Sequence, residues 1–475
     1  MGRHQLAPIL LLGIATAASV GGPACAAGPG AGRPNILLLV SDDQRPDTIR
    51  ALGNPVIATP TFDRLVGDGT AFTRAVCSYP LCYPSRAEIL TGTTVFRNGV
   101  YDRGRLDATA ATLPALLLRA GYRTCHVGKW HVAGKPRDRG YETVEGMYAQ
   151  CGPAGPPRFD ERAREITGYR GWTFCDADCK ALPGHASGLT RDISAAFADA
   201  AIRFIGAAKS AGRPFFLHVN FTAPHDPLML PGGFEGRYEP GGMPMPRNFL
   251  PEHAFDHGNL RGRDEALWPW PRTESDVREE LALYYAVITH LDAQVGRIFE
   301  ALDASGELGR TVVIYTSDNG LAIGSHGLRG KQNMYEHSIG VPLLLRGPGI
   351  RAGVRSATPC HLRDLFPTIC ELAKVPVPPG LAATSLAPLL QGEGGPVRDF
   401  VVGYFRDSQR MIRTERWKLI RYPLAGREQL FDLRSDPDEM ADLSADPGLA
   451  GILDGLRGDL AAWLTENGDP LTSRR

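Results

Sequence analysis

Residues 34–43 read PNILLLVSDD, an apolar run that ends in two adjacent aspartates. A short, continuously apolar run is typical of a strand that is buried on both faces of a parallel sheet. It predicts a strand over residues 35–40, with Asp42 and Asp43 at its carboxyl end. Open α/β sheets bind ligands beyond the carboxyl ends of their strands. The stretch therefore predicts a fold class and the place of a site together.

The same pattern continues along the chain, where apolar strands alternate with amphipathic helices. Further strands are predicted at 122–127, 214–221, 311–316 and 341–345, and helices at 113–119, 193–205 and 276–303. This alternation predicts an α/β fold with a large, mostly parallel sheet flanked by helices.

Two stretches, 136–189 and 229–273, are too long and irregular to be simple connections. After about residue 379 the pattern changes to short, closely spaced strands at 400–405, 409–414, 417–422 and 429–432, followed by a helix at 449–464. We therefore expect a catalytic α/β domain over residues 33–379 and a C-terminal subdomain over 380–475, with a small antiparallel sheet and one helix.

Composition limits the classes of partner. The chain has 475 residues, of which 43% are hydrophobic, so it can bury a large core. Lys plus Arg and Asp plus Glu each number 52, giving a formal net charge of zero. No global field attracts nucleic acid or a membrane surface, so any anion must be held by local charges.

The first 27 residues have the pattern of a secretory signal: a basic start, an apolar stretch over 6–20, and small residues before Ala26 and Ala27, where we expect cleavage. A membrane anchor is the alternative, but the apolar stretch is short for a span and ends in Gly and Pro. A lipoprotein signal ending at Cys25 is a further alternative, but Gly22 occupies the position where such signals usually have Leu. No later segment is long and apolar enough to cross a bilayer, which predicts an exported protein, periplasmic or secreted.

The chain has nine cysteines, which is not the density of a disulfide scaffold. Cys151, Cys175 and Cys179 lie close together in sequence, and this favours a bridge among them over a metal site, since no paired histidine follows.

A second acidic pair occurs in a position that matches the first. Asp318 and Asn319 follow the strand predicted at 311–316, as Asp42 and Asp43 follow theirs. Four oxygen-bearing side chains from two strand ends can surround one hard cation, which favours Ca²⁺ or Mg²⁺ over Zn²⁺. The alternative is that each pair caps a helix or turn, and the matching positions weigh against it.

Residues 82–92, CYPSRAEILTG, are the most specific stretch of the chain. Taken alone, Cys82 could be a structural thiol or form a disulfide with Cys77. The stretch resembles the CxPSR-plus-TG signature of the sulfatase family, within the alkaline phosphatase superfamily. That resemblance implies an alkaline phosphatase-like fold, oxidation of Cys82 to formylglycine (3-oxoalanine) by a separate formylglycine-generating enzyme, and a Ca²⁺ site, with Mg²⁺ second, to which Cys82 contributes. It also implies that Arg86 lies within reach of the formylglycine oxygens.

Two more segments resemble elements of the same family. Residues 128–131, GKWH, follow the strand at 122–127, and the resemblance implies that Lys129 holds a sulfate oxygen and His131 accepts a proton. Residues 222–227, TAPHDP, resemble the family's PH element and imply that His225 binds the substrate and protonates the departing alcohol. Outside a site, these side chains would be solvated loop residues or a turn histidine.

Residues 327–336, GLRGKQNMYE, resemble the GKxxxYE element, which implies that Lys331 contacts both the sulfate and the leaving-group oxygen. His326 either faces the substrate or is a solvated loop residue. The polar residue that often contacts sulfate between the GKWH and PH elements has no clear counterpart.

Together these resemblances imply hydrolysis of a sulfate monoester, on a sulfated small molecule or glycan, with release of inorganic sulfate. The carbohydrate prediction rests on the polar and aromatic stretch 238–272 and on the export signal. Two alternatives remain: a phosphonate or phosphodiester hydrolase of the same superfamily, and an inactive protein that binds sulfated glycans.

Overall fold

The computed structural model describes residues 1–2, 32–102, 104–153, 155–159, 165–185, 187–209 and 212–473. The predicted signal segment, residues 1–27, lies outside the described residues except for its first two. No helix in the described ranges combines the length and apolarity that a bilayer span requires.

Strands and helices alternate through most of the chain. The strands are β1 Asn35–Ser41, β2 Thr70–Phe72, β3 Ala75–Val76, β4 Arg123–Lys129, β5 Thr143–Gln150, β6 Trp172–Cys175, β7 Phe215–Asn220, β8 Thr311–Ser317, β9 Leu343–Arg346, β10 Val354–Ser356, β11 Cys360–His361, β12 Val401–Phe405, β13 Gln409–Arg413, β14 Trp417–Tyr422 and β15 Arg427–Asp432. The α-helices are α1 Pro60–Asp68, α2 Cys82–Thr91, α3 Val95–Asn98, α4 Leu113–Arg119, α5 Ile193–Ala208, α6 Glu274–Ala304, α7 Glu336–Ile339, α8 Leu365–Leu372, α9 Ala387–Gln391, α10 Ala450–Glu466 and α11 Pro470–Ser473. Short 3₁₀ helices lie at Arg50–Leu52, Arg137–Arg139, Pro240–Gly242, Glu265–Leu267, Leu308–Arg310, Leu362–Asp364 and Pro447–Leu449.

The main sheet has nine strands in the order β10-β2-β9-β8-β1-β7-β4-β5-β6. The central strands β8, β1, β7, β4 and β5 are mutually parallel, and β9 and β6 pair antiparallel to their neighbours. The predicted large, mostly parallel sheet is therefore confirmed.

Strand β1 is completely buried, as its sequence predicts. Its residues alternate between two cores: Ile36, Leu38 and Val40 belong to one apolar cluster, and Leu37 and Leu39 to the other. The long helix α6 and α5 cover the second cluster, so both faces of the sheet are dry. This is the physical reason why the strand contains no alternating polar residues.

The C-terminal strands form the predicted antiparallel sheet, β12-β13-β14-β15, followed by α10. This sheet is tied to the rest of the protein by buried polar contacts: Arg413 Nη1 donates to Glu336 Oε2 at 2.6 Å, and the Tyr404 hydroxyl donates to Glu88 in α2. Residues 33–475 form one compact unit. The domain boundary at residues 379 and 380 stays a prediction.

The stretch 136–189, which the sequence shows as irregular, contains β5 and β6, the strands at one edge of the main sheet. Both escape periodicity because β6 has only four residues and β5 carries Gly146 in its interior. In the same stretch a disulfide joins Cys151 to Cys179, while Cys175 keeps a free thiol.

Strands β4 and β7 are packed closely at their carboxyl ends, where Gly128 lies against Asn220. Its φ is +87°, and a Cβ there would overlap the carbonyl oxygen of Asn220 in β7. Gly121 has a similar φ of +92°, but a Cβ there meets nothing within 4 Å. We expect Gly121→Ala to lower the free energy of unfolding by about 1 kcal/mol, because only backbone strain is introduced there. Gly128→Ala should lower it by about 3 kcal/mol or more, because steric overlap is added.

Urea unfolding of both variants measures this difference. Equal losses would show that β4 and β7 can separate at this end without penalty.

Candidate active site

The site forms where the carboxyl ends of β8, β1, β7 and β4 meet. The parallel registers pair Ser41 with Ser317 and align Asn220 with both Val40 and Gly128. The side chains that follow or end these strands are therefore brought together. They are Asp42, Asp43, Lys129, Asn220, Asp318 and Asn319.

Cys82 approaches this edge from the first turn of α2. It is 3% exposed, and its Sγ lies 3.2 Å from Asp42 Oδ1 and 3.4 Å from Lys331 Nζ. Burial, followed by the charge of Asp42, raises the pKa of the thiol well above its usual value. The unmodified side chain is thus a protonated thiol, which is a poor nucleophile. Both Cys82 and Cys77 are free, so the alternative of a disulfide between them is wrong.

Two lysines neutralise the aspartates after β1. Lys129 Nζ forms a buried ion pair with Asp42, and Lys331 Nζ contacts both Asp43 oxygens at 2.7 Å. Burial alone would raise the pKa of Asp42, but Lys129 and then His225 hold it well below its usual range. Burial disfavours the charge of Lys331, yet Asp43 raises its pKa well above the usual value. Asp42 and Lys331 are therefore held in their charged forms inside the protein.

Arg86, one turn after Cys82 in α2, extends beneath the same cluster. Its Nε donates to Asp318 Oδ2 at 2.9 Å, and its Nη1 donates to Asn220 Oδ1 at 2.6 Å. Burial raises the pKa of Asp318 to about 7, against the lowering effect of Arg86. Asn220 was not singled out from the sequence, although its place at the end of a predicted strand was an available signal.

The backbone at Asp43 holds the two acidic pairs together. Asp43 has φ 66°, in the left-handed region that residues other than glycine rarely adopt. In this conformation its N–H donates to Asp318 Oδ1 at 3.2 Å, and its own Oδ1 accepts from Asn319 Nδ2 at 2.7 Å. Strained conformations of this kind are found at functional sites.

This donor set fits a hard divalent cation. One atom each from Asp42, Asp43, Cys82 and His225 lie within 4.8 Å of one another. The Asn319 Oδ1 atom, beside this cluster, is a buried acceptor that receives no hydrogen bond. Because an unpaired buried carbonyl is unfavourable, a cation that takes its lone pair would relieve that cost. The five predicted ligands thus lie close together, and the His225 ring lies beside them.

His225 is aimed by its neighbour in the chain. Its Nδ1 lies 2.7 Å from the Asp226 carbonyl oxygen, an arrangement in which Nδ1–H donates. Its Nε2 then points into the cluster, 3.7 Å from Asp43 Oδ2. The ring is therefore oriented to present Nε2 to a substrate.

His131 lies at the side of the cluster, between Tyr83 and Trp172, with ring centroids 5.9 and 5.2 Å away. Its Nδ1 atom is buried and has no hydrogen-bond partner. Burial, followed by Lys129, lowers the pKa of His131 well below its usual value, so the ring is neutral.

His326 is placed elsewhere. It stacks on Tyr335 at 3.9 Å between ring centroids, and its Nε2 lies 3.1 Å from Asn248 Nδ2. Burial lowers its pKa to about 3. It is therefore a packed, neutral ring rather than a solvated loop residue, and its predicted contact with substrate stays a prediction.

Tyr169 is a site residue that the sequence did not reveal. Its hydroxyl donates to Asp42 Oδ2, and its ring lies 5.2 Å from Lys129 Nζ and 4.9 Å from the His225 ring. It comes from the irregular stretch 136–189, where no periodicity or motif marks it. Only the fold brings it to the site.

The chain matches the family described as Sulfatase over residues 34–375 and the family described as N-sulphoglucosamine sulphohydrolase, C-terminal over residues 324–466. An arylsulfatase of Clostridium perfringens is 28% identical over 435 residues, covering 86% of this chain and 90% of that protein. An N-acetylglucosamine-6-O-sulfatase of Bacteroides thetaiotaomicron is 27% identical over 482 residues, covering 86% and 82%.

Solved structures are similar over almost the whole chain. A protein in complex with its substrate D-glucosamine-2-N,6-O-disulfate superposes with a TM-score of 0.77 at 24% identity, covering 94% of this chain and 100% of that one. A phosphonate monoester hydrolase of Agrobacterium radiobacter superposes with a TM-score of 0.72 at 25% identity, covering 92% and 96%. At 24% identity, the first of these supports the fold alone.

The unpartnered Asn319 oxygen and the buried carboxylates generate a prediction about metal binding. Adding CaCl₂ after chelation should raise the melting temperature by about 3 °C at a concentration a hundredfold above Kd, because ligands that bind only the folded state stabilise it. Asn319→Ala removes one acceptor and should weaken this response, as followed by differential scanning fluorimetry.

Asp178→Asn is the matched control, since Asp178 is exposed and pairs with Lys135 away from the cluster. If neither the chelator nor calcium changes the melting temperature of the wild-type protein, that result would contradict a cation site. Parallel titration with MgCl₂ compares the two metals.

Proposed function

This chain belongs to the sulfatase family of the alkaline phosphatase superfamily, and we propose that it hydrolyses a sulfate monoester carried by a sugar, using formylglycine formed from Cys82. It is a sulfuric ester hydrolase by class. The observation that carries the proposal is the position of Cys82, at the start of α2 between Asp42 and Lys331. A nucleophile at that point would contact a sulfate held by the cationic side chains of Arg86, Lys129 and Lys331.

We assign the metal to the acidic pairs after β1 and β8, with Cys82 as a further ligand. Asp42, Asp43, Asp318 and Asn319 would hold it through oxygen, the donor type that Ca²⁺ prefers. When bound, the ion supplies positive charge that polarises the sulfate group.

The proposed nucleophile is formylglycine in place of the Cys82 thiol, which lies between Asp42 and Lys331. Oxidation by a formylglycine-generating enzyme gives an aldehyde whose hydrate supplies a hydroxyl for attack on sulfur. The free N–H groups and dipole of the first turn of α2 favour an anionic group at this place.

Lys129, Lys331 and Arg86 balance the charge of the bound sulfate. Lys331 Nζ is already 3.4 Å from Cys82 Sγ, so it can reach both the nucleophile and a group bonded to it. Arg86 is held from two sides by Asp318 and Asn220, so its guanidinium is fixed before substrate binds. Preorganised charges of this type stabilise the transition state without reorganisation.

Two histidines move protons. His225 presents Nε2 to the cluster and, when protonated there, donates to the oxygen of the departing alcohol. His131 is neutral and has an unpartnered Nδ1, so it can accept the proton of a formylglycine hydroxyl when sulfate is expelled.

A carbohydrate substrate is supported by relatives whose names include N-acetylglucosamine-6-O-sulfatase and ulvan-active sulfatase. The signal pattern in residues 1–27 supports export to the periplasm or outside the cell, where such glycans are met. The second candidate is a phosphonate monoester hydrolase, favoured by the structural likeness at 25% identity.

Cys82→Ala should abolish turnover of 4-nitrophenyl sulfate by protein co-produced with a formylglycine-generating enzyme. Mass spectrometry of the wild-type peptide should show conversion of the thiol to the aldehyde. Cys370→Ala, in α8 and away from the cluster, should retain both modification and activity. Turnover of a matching aryl phosphodiester far above that of the sulfate would instead favour the phosphonate candidate, and an unmodified, inactive Cys82 would favour a glycan-binding role.

His225→Gln should steepen the dependence of kcat/KM on leaving-group pKa in a series of aryl sulfates. The loss should be small for nitrophenol and about a hundredfold for phenols of high pKa, because only poor leaving groups need the proton. His185→Gln, whose ring packs on Phe174, is the control. A uniform loss across the series would show that His225 binds the substrate without protonating the leaving group.

A further inference from the structure

A pocket of about 480 Å³ opens beside the catalytic cluster, and apart from His131 its lining has no part in the proposed chemical steps. Its volume lies in the range of small-molecule sites. Its lining includes His131 and Tyr83, and Tyr83 directly follows Cys82 in the chain. A molecule in this pocket would therefore contact the His131 ring, which lies at the side of the cluster.

The wall of the pocket is aromatic and is fixed to the cluster. Trp172 lies 5.2 Å, between ring centroids, from both His131 and Tyr169. Tyr169 in turn donates its hydroxyl to Asp42. The Tyr83 hydroxyl accepts a hydrogen bond of 2.7 Å from the Leu106 N–H, which holds the opposite wall in place. Rigid aromatic walls of this type suit a flat or ring-shaped ligand.

The charged side chains that line the pocket are both positive. Among the described lining residues, the charged side chains are Arg105 and Lys135, both exposed to solvent. Lys135 pairs with Asp178 at 3.0 Å, but both side chains are more than half exposed, and such surface pairs are weak. An anionic ligand can therefore pair with Lys135 in place of Asp178, as well as with Arg105.

Resting on the proposed function, we infer that this pocket binds the substrate's ring and favours rings that carry a second anionic substituent besides the sulfate that is cleaved. The C–H face of a sugar packs on the Trp172 side of the pocket, while a sulfate or carboxylate on the ring meets Arg105. The planar guanidinium matches both anions through paired N–H donors, and Lys135 adds a point charge. Arg105 and Lys135 are thus specificity residues, not catalytic ones.

Three chromogenic probes test this inference on protein that carries formylglycine: 4-nitrophenyl sulfate, a nitrophenyl sulfate with a ring carboxylate, and one with a ring sulfonate. In the wild-type protein the second anion should lower KM about fivefold. Arg105→Gln should remove that gain, so that its KM values for the three probes become equal. The carboxylate and sulfonate arms show which anion is preferred.

Arg137→Gln is the matched control, because it removes the same charge from an exposed residue outside the pocket lining. Equal KM ratios in wild type and Arg105→Gln, or the same loss in Arg137→Gln, would overturn the inference. No turnover of any probe would refute the proposed function instead.

A binding experiment decides the inference even without turnover. The tryptophan fluorescence of Cys82→Ala protein is titrated with the trisulfated disaccharide of heparin and with its desulfated form. Tighter binding of the sulfated form, weakened about fivefold by Arg105→Gln but not by Arg137→Gln, is the expected result. Equal affinities for the two disaccharides, or no saturable binding, would overturn it.

Discussion

Negative charge buried at the carboxyl end of β1 is the constraint on which the rest of the site depends. Asp42, Asp43 and Asp318 are all essentially inaccessible to solvent. Buried carboxylates are strongly unfavourable unless they are paired, and removing one partner of a buried pair typically destabilises a protein by about 3–5 kcal/mol. Lys129 pairs with Asp42, Lys331 with Asp43 and Arg86 with Asp318, and the three cations come from different parts of the chain. The pairing therefore ties these distant segments together.

The same pairing prepares the site for an anionic substrate. Lys129, Lys331 and Arg86 lie around Cys82, held by aspartates that also suit a hard cation. In the proposed mechanism, a cation that takes the carboxylate oxygens would free part of the lysine charge for sulfate. The interactions that stabilise the folded chain and those that would bind sulfate thus use the same side chains.

Sequence periodicity located the central strands and the long helices because β1 is buried on both faces and α6 has a buried face along its 31 residues, so each carries a clear pattern. It missed β5 and β6, since a four-residue strand and a strand interrupted by Gly146 carry too little signal. It also left His326 between a substrate contact and a solvated loop, whereas the ring is packed on Tyr335. Short edge strands and packed rings depend on contacts with distant residues, which periodicity does not record.

By itself, the sequence determined the sheet class, the carboxyl-end position of the two acidic pairs, and the motifs that contain Cys82, Lys129, His225 and Lys331. These follow from local patterns, because a buried strand and a strand-end loop are each specified by a few neighbouring residues. Only the tertiary structure decided that Tyr169 bonds Asp42, that Asn220 anchors Arg86, and that Trp172, Tyr83 and Arg105 line one pocket. These contacts join residues far apart in the chain, on strands, on helix α2 and in loops, so they exist only once the sheet and the segments around it have assembled.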